Sequence, residues 1–137
     1  MSQKQFLTFA AFIACSIGSI ALFFPMILLV EMKAATASGA ALVMARTAGA
    51  FLLGVGILNF MVRADSASPT MVSILFANAM IQLFILPIDP IAYFTGVYGN
   101  PMSFIPNTIL HIGLLFGFAH FWRKTKTEIA ANHAKIA

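Results

Sequence analysis

Seven polar or charged residues stand inside, or at the rims of, stretches that are otherwise apolar: Arg46, Glu31, Asn78, Gln82, Asp89, Asn107 and His111. Their types set what they can do. Arginine keeps its proton, so within the run "ALVMARTAGAFLLGVGILNF" (41–60) its charge needs a partner, an anion or a route to water. Asparagine and glutamine carry donors and acceptors together, and histidine adds a group that titrates near neutral pH. Spacing groups them further. Asn78 and Gln82 are four residues apart, as are Asn107 and His111, so on helices each pair shares a face. Glu31 and Asp89 fall at the ends of apolar segments. Together the seven predict a polar cluster opening toward one membrane surface.

Three readings of Arg46 stay open. Its stem can lie in lipid while the guanidinium reaches the headgroups. It can form a structural ion pair with Glu31 or Asp89. It can also help to bind a ligand or anion. Other chemistries find less support. His111 and His120 are nine apart, which at about 100° per residue sets them on opposite helix faces, so one subunit cannot ligate haem through both. The sequence holds no GxSxG, HExxH or CxxC motif and no carboxylate pair inside a helix. The single Cys15 excludes an internal disulfide and a cysteine metal cluster. No catalytic residue and no metal site are assigned, and without an acid at mid-membrane an ion route lacks its usual group.

The elements that must position these residues follow from composition. Hydrophobic residues make up 61% of the 137 and charged ones 9%, against about 25% charged in soluble domains. The chain is therefore read as an integral membrane protein. A hydrocarbon core of ~30 Å takes about 20 apolar residues per helix, and four stretches qualify: 6–30, 39–62, 69–87 and 103–123. The first has Lys4 ahead and "AATASGA" behind, as a signal peptide would, but signal cores run only about 7–15 residues. It is read as a retained helix. Ser68-Pro69 marks a helix start, and Pro87 and Pro90 are expected to end the third span. The loop "IDPIAYFTGVYGNPMS" would place Tyr93, Phe94 and Tyr98 at the headgroups, and Trp122 would sit at the opposite surface.

Small residues mark the expected helix contacts: Thr8, Ala11, Cys15 and Ser19, then Gly49, Ala50 and Gly56, then Gly113 and Gly117. The expected fold is an all-α, antiparallel four-transmembrane-helix bundle, with the glycine face of the fourth helix as an alternative homo-oligomer contact. Lys4, Arg63, Arg123, Lys124, Lys126 and Lys135 share one side and only Lys33 and Arg46 the other, which predicts cytoplasmic N and C termini. The tail 123–137, "RKTKTEIAANHAKIA", has a helical pattern, and its basic start would attract anionic lipid by about 1 kcal/mol per residue. The net charge of +4 thus belongs to a membrane surface, and no nucleic-acid partner is expected.

An arginine ahead of "GAFLLGVGILNF", a short polar loop and compact third and fourth spans resemble the small four-helix bacterial membrane proteins called DoxX-like. The resemblance rests on Arg46 and Gly49. It implies a bacterial inner membrane and, from some members, quinone-dependent oxidation or an accessory role; it transfers no catalytic residue. The first expectation is a non-enzymatic accessory or scaffolding subunit of a larger membrane complex. The alternatives are a quinone- or lipid-binding subunit of a redox system, using the outer polar cluster, and a small oligomeric transporter. The partners expected are membrane lipid and other membrane subunits or a second copy.

Overall fold

Proline and serine punctuate the chain into helices. The computed structural model describes residues 1–33, 35 and 37–134, and no strand occurs among them. Helix α1 (Gln3–Phe23) starts at Ser2, whose hydroxyl accepts from the Gln5 amide while the Gln5 side chain accepts from the Ser2 amide. This reciprocal cap satisfies two donors that the first turn leaves free. The helix stops earlier than the 6–30 reading expects. Pro25 lacks an N–H and crowds the residue before it, and Phe24 leaves the helical region at φ −128°, ψ 52°. The chain resumes as a wide π-helical turn, Ile27–Met32.

Helix α2 (Gly39–Val62) is capped by Ser38, and α3 (Pro69–Ile85) by Ser68 with proline in its first turn. Pro87 and Pro90 do not end the third span as expected. Leu86 and Pro87 keep right-handed helical dihedrals, and a seven-residue helix α4 (Ile88–Phe94) continues the path. Pro90 lies in the first turn of α4, where a missing N–H leaves no helical bond unmade. Much of the expected loop is therefore helical, and Pro69–Phe94 forms one 26-residue stretch, divided into two helices at Leu86–Pro87. Gly96, at φ +77°, turns the chain back, in a conformation that costs glycine little. A short 3-10 turn, Pro101–Ser103, leads into α5 (Ile105–Ala134). At 1.5 Å per residue α5 is about 45 Å long, and it carries the span expected at 103–123 on into the helical pattern of the tail as far as Ala134.

Among the described residues, four helical stretches are long and apolar enough to cross a membrane. Their outer surface is apolar as well as their core: Phe51 is 73% exposed, whereas Asn59 is 1% exposed. Helices α1 and α2 touch backbone to backbone. A Cβ on Gly49 would lie 2.6 Å from the Leu22 amide nitrogen, and one on Gly56 would lie 3.0 Å from that of Cys15. Helix α3 lies along α5 through Gln82 beside His111 and Phe76 beside Trp122. The two pairs meet in a core of Phe6, Leu7, Met71, Leu75, Phe118 and Phe121 near the chain termini, where Thr125 donates to the Gln3 side chain at 3.0 Å. Gly117 belongs to this contact, pressed against the Phe6 ring, but Gly113 faces open space.

Candidate functional site

Between the two helix pairs lies a cavity of about 240 Å³, lined by all four long helices. Its walls are apolar: Ala10, Ala14 and Ile17 from α1, Leu52 and Val55 from α2, Ile81 and Ile85 from α3, Leu110 and Leu114 from α5. Polar groups enter at three depths. The deepest is an amide pair. Asn59 donates to Asn78 at 3.0 Å and Asn78 donates back at 3.2 Å, with a further bond to the Ile74 carbonyl at 2.9 Å. One turn along α3, Gln82 meets His111 Nδ1 at 2.6 Å. At the rim, Asp89 accepts from Lys33 at 2.5 Å, from Asn107 at 2.6 Å and from Tyr98 at 3.0 Å.

Local sequence explains each placement. Helices α3 and α5 turn inward-facing stripes spaced by three and four residues toward the bundle: 71, 75, 78 and 82 on α3, and 107, 111, 114 and 118 on α5. The α3–α4 kink carries Asp89 to the rim, and the reversal at Gly96 brings Tyr98 back over it. Lys33 follows the π turn, whose wide winding is closed by its own amide bonding to the Leu28 carbonyl. The Lys33–Asp89 pair is nearly enclosed, with side chains 13% and 11% exposed. Burial, reinforced by the Asp89 carboxylate, pushes the Tyr98 phenol above its ordinary pKa, so it stands as a neutral donor.

The structure therefore gathers Asn78, Gln82, Asp89, Asn107 and His111 around one cavity. It leaves Arg46 and Glu31 out. Both are exposed, and neither has a hydrogen-bond partner among the described residues. The reason is register. The buried face of α2 runs through Ala45, Gly49, Gly56 and Asn59, and Arg46 stands one position off it. Asp89, one of the two partners open to Arg46 in the ion-pair reading, pairs with Lys33.

Three participants escaped the sequence reading. Asn59 was visible in principle, three residues beyond Gly56 on the same stripe. Lys33 and Tyr98 were not, since both sit in segments without a helical period. No group of three metal-ligating side chains lies together among the described residues.

What the cavity offers a guest is set by the groups it leaves unpaired. Gln82 is 7% exposed, and its amide nitrogen has no protein partner among the described residues; neither has His111 Nε2. With the Gln82 oxygen accepting from Nδ1–H, the other imidazole nitrogen is an acceptor, and the Gln82 amide supplies a donor. An apolar chamber with a few converging polar groups is the usual form of a small-molecule site. Compared with known proteins, the chain matches no protein-family model, no curated protein and no solved structure.

Proposed function

We propose that this chain is a multi-pass membrane protein that binds an amphiphilic small molecule, a quinone or a lipid, between its two helix pairs. It would serve a membrane redox system as a non-enzymatic binding subunit. The observation that carries the reading is the 240 Å³ cavity itself, apolar along its walls and supplied with a free donor and acceptor at Gln82 and His111. The test is to purify the protein in a mild detergent and identify what is extracted with it by mass spectrometry. A defined amphiphile should accompany the wild type and be depleted from Val55→Phe, whose ring would occupy the chamber. Equal, bulk-membrane composition in both samples would end this proposal.

The same reading includes an antiparallel bundle with both termini cytoplasmic, in a bacterial inner membrane. Its support is the pairing order. Along α2, Gly49 meets Gly18 and Leu22, whereas Gly56 meets Ala11 and Cys15. Likewise Phe76 and Gln82 meet Trp122 and His111 in reversed order. The Gln3–Thr125 contact joins the ends that carry Lys4, Arg63, Arg123, Lys124 and Lys126, the excess expected of a cytoplasmic face. The likeness to DoxX-like proteins, through Arg46 and Gly49, belongs to this proposal too.

A second reading, an accessory or scaffolding subunit, is favoured by an apolar groove of about 600 Å³ along α1 and α5, bordered by Phe9, Ile109, Gly113 and Phe116. Co-purification of a stoichiometric membrane partner, lost in Gly113→Phe, would support it; an isolated monomer from mild detergent would count against it.

A further inference from the structure

The cavity's charges cancel, and that restricts what it can hold. Lys33 and Asp89 are the only Lys, Arg, Asp or Glu side chains lining it among the described residues, and they are spent on each other at 2.5 Å. The Asn59–Asn78 amides likewise bond to one another. A guest bearing a net charge would find no counter-charge here, and an uncompensated ion in a low-dielectric interior is strongly disfavoured. Among the lining groups that make no protein hydrogen bond among the described residues, the Gln82 amide nitrogen is a donor and the neighbouring His111 Nε2 an acceptor. A hydroxyl donates and accepts through one small neutral atom group, and so can meet both at once.

Size supplies the second restriction. About 240 Å³ falls below the ~300–1,000 Å³ of clefts that enclose a drug-sized ligand, enough for a head and the first carbons of a chain. The rest has a way out. A second cleft, of about 350 Å³, shares Ile17, Leu28, Lys33, Asn107 and Leu110 with the cavity and runs between Met32, after the broken end of α1, and Met102 and Pro106, before and within α5. Its apolar sides make it a lateral opening toward the bilayer.

Building on the binding reading above, we propose that the ligand is an uncharged lipophilic alcohol or phenol. Its hydroxyl lies between Gln82 and His111, and its chain leaves sideways past Leu28, Met32, Met102 and Pro106. Anionic phospholipids, fatty-acid anions and alkylammonium ions are excluded by charge. Lys33 and Asp89 set this selectivity without touching the head: they keep the site neutral.

The test uses the full chain in phosphatidylcholine vesicles and three diazirine-bearing photoprobes of equal chain length, an alkanol, a fatty acid and an alkylamine. Labelled residues are located by mass spectrometry. The alkanol is expected to mark peptides containing Leu28 and Met102, competed by excess unlabelled dodecanol, and to exceed both charged probes there by at least about tenfold. Gln82→Leu and His111→Leu should each reduce alkanol labelling severalfold. Lys33→Met, which leaves a carboxylate alone, should raise alkylamine labelling, and Asp89→Asn should raise that of the fatty acid. A purely structural ion pair would not reverse the preference in this way. Should a charged probe mark these peptides of the wild type as strongly as the alkanol, neutrality is wrong and the cavity still binds. Should no probe mark them, both the alcohol and the binding reading fall.

Discussion

Replacing the two rim charges separately and together tests how the site is held. At 2.5 Å and an effective dielectric constant of ~20, the Lys33–Asp89 attraction is about 7 kcal/mol. Desolvation of both ions offsets most of it, so the pair's net contribution is small, while stranding either partner costs about 3–5 kcal/mol. The structure orders the two single variants. Lys33→Met leaves Asp89 with donors from Tyr98 and Asn107, which places it near the low end, about 3 kcal/mol. Asp89→Leu strands an ammonium and orphans two donors as well, which places it near 5 kcal/mol. The double variant removes the stranded ion and keeps only the orphaned Tyr98 and Asn107 groups. It should therefore be about 2 kcal/mol more stable than Asp89→Leu alone. Unfolding in mixed micelles with a rising SDS fraction, followed by far-ultraviolet circular dichroism, measures all four proteins. If the double variant shows the full sum of the single losses, the charges act independently and the reasoning is refuted. It is refuted equally if Asp89→Leu is no worse than the double, because Lys33 then escapes to the headgroups.

Three further outcomes are expected. Gly49→Ala should lose about 1–3 kcal/mol, because its Cβ would meet Leu22 backbone at 2.6 Å, whereas Gly113→Ala, facing open space, should be neutral or gain up to about 1 kcal/mol; the micelle assay compares them. Arg46→Leu should leave both stability and extracted ligand unchanged, since Arg46 lies outside the cavity lining; a loss of ligand would return it to the site. Tyr98, isolated spectroscopically by Tyr93→Phe, should ionise above the ordinary ~10, and nearer to it in Asp89→Asn, which removes the neighbouring charge. A raised folded pKa means that its stabilisation is complete below pH ~10 and is lost as pH climbs through the folded value. Titration of the phenolate absorbance in both backgrounds decides this.

The parts of the site legible in the sequence are those on regular helices. Asn78 with Gln82, and Asn107 with His111, could be placed because a helix repeats its face every three to four residues. Gly49 and Gly56 could be placed because lipid-immersed helices approach through small side chains. Arg46 shows the boundary of that logic. It shares a turn with Gly49, yet one position around the helix separates a backbone contact from the lipid surface. The prolines show another. Pro87 and Pro90 read as terminators, but a proline in a first turn breaks nothing, so the chain kinks and Asp89 gains its place. Lys33 and Tyr98 carried no period to read. Their positions follow from a π turn and a left-handed glycine, local events that fix where an irregular segment ends.

The cavity exists because the helices pack unequally. Within α1–α2 the glycines bring backbones into contact, and within α3–α5 side chains interlock along the pair. Between the pairs, the buried core is confined to the end near Phe6 and Phe118. Elsewhere they are joined by the Asn59–Asn78 amides and the Lys33–Asp89 ions. Neither link draws on the hydrophobic effect, which offers helices little reason to associate within lipid. A polar link has a defined length and direction, so it can hold two surfaces together without filling the space beside it. Apolar side chains in the same positions would close the gap. On this view the buried polar groups have one role at two depths: they keep the pairs attached while leaving a chamber between them, and the Gln82 and His111 groups left over by that arrangement are the ones a guest can use.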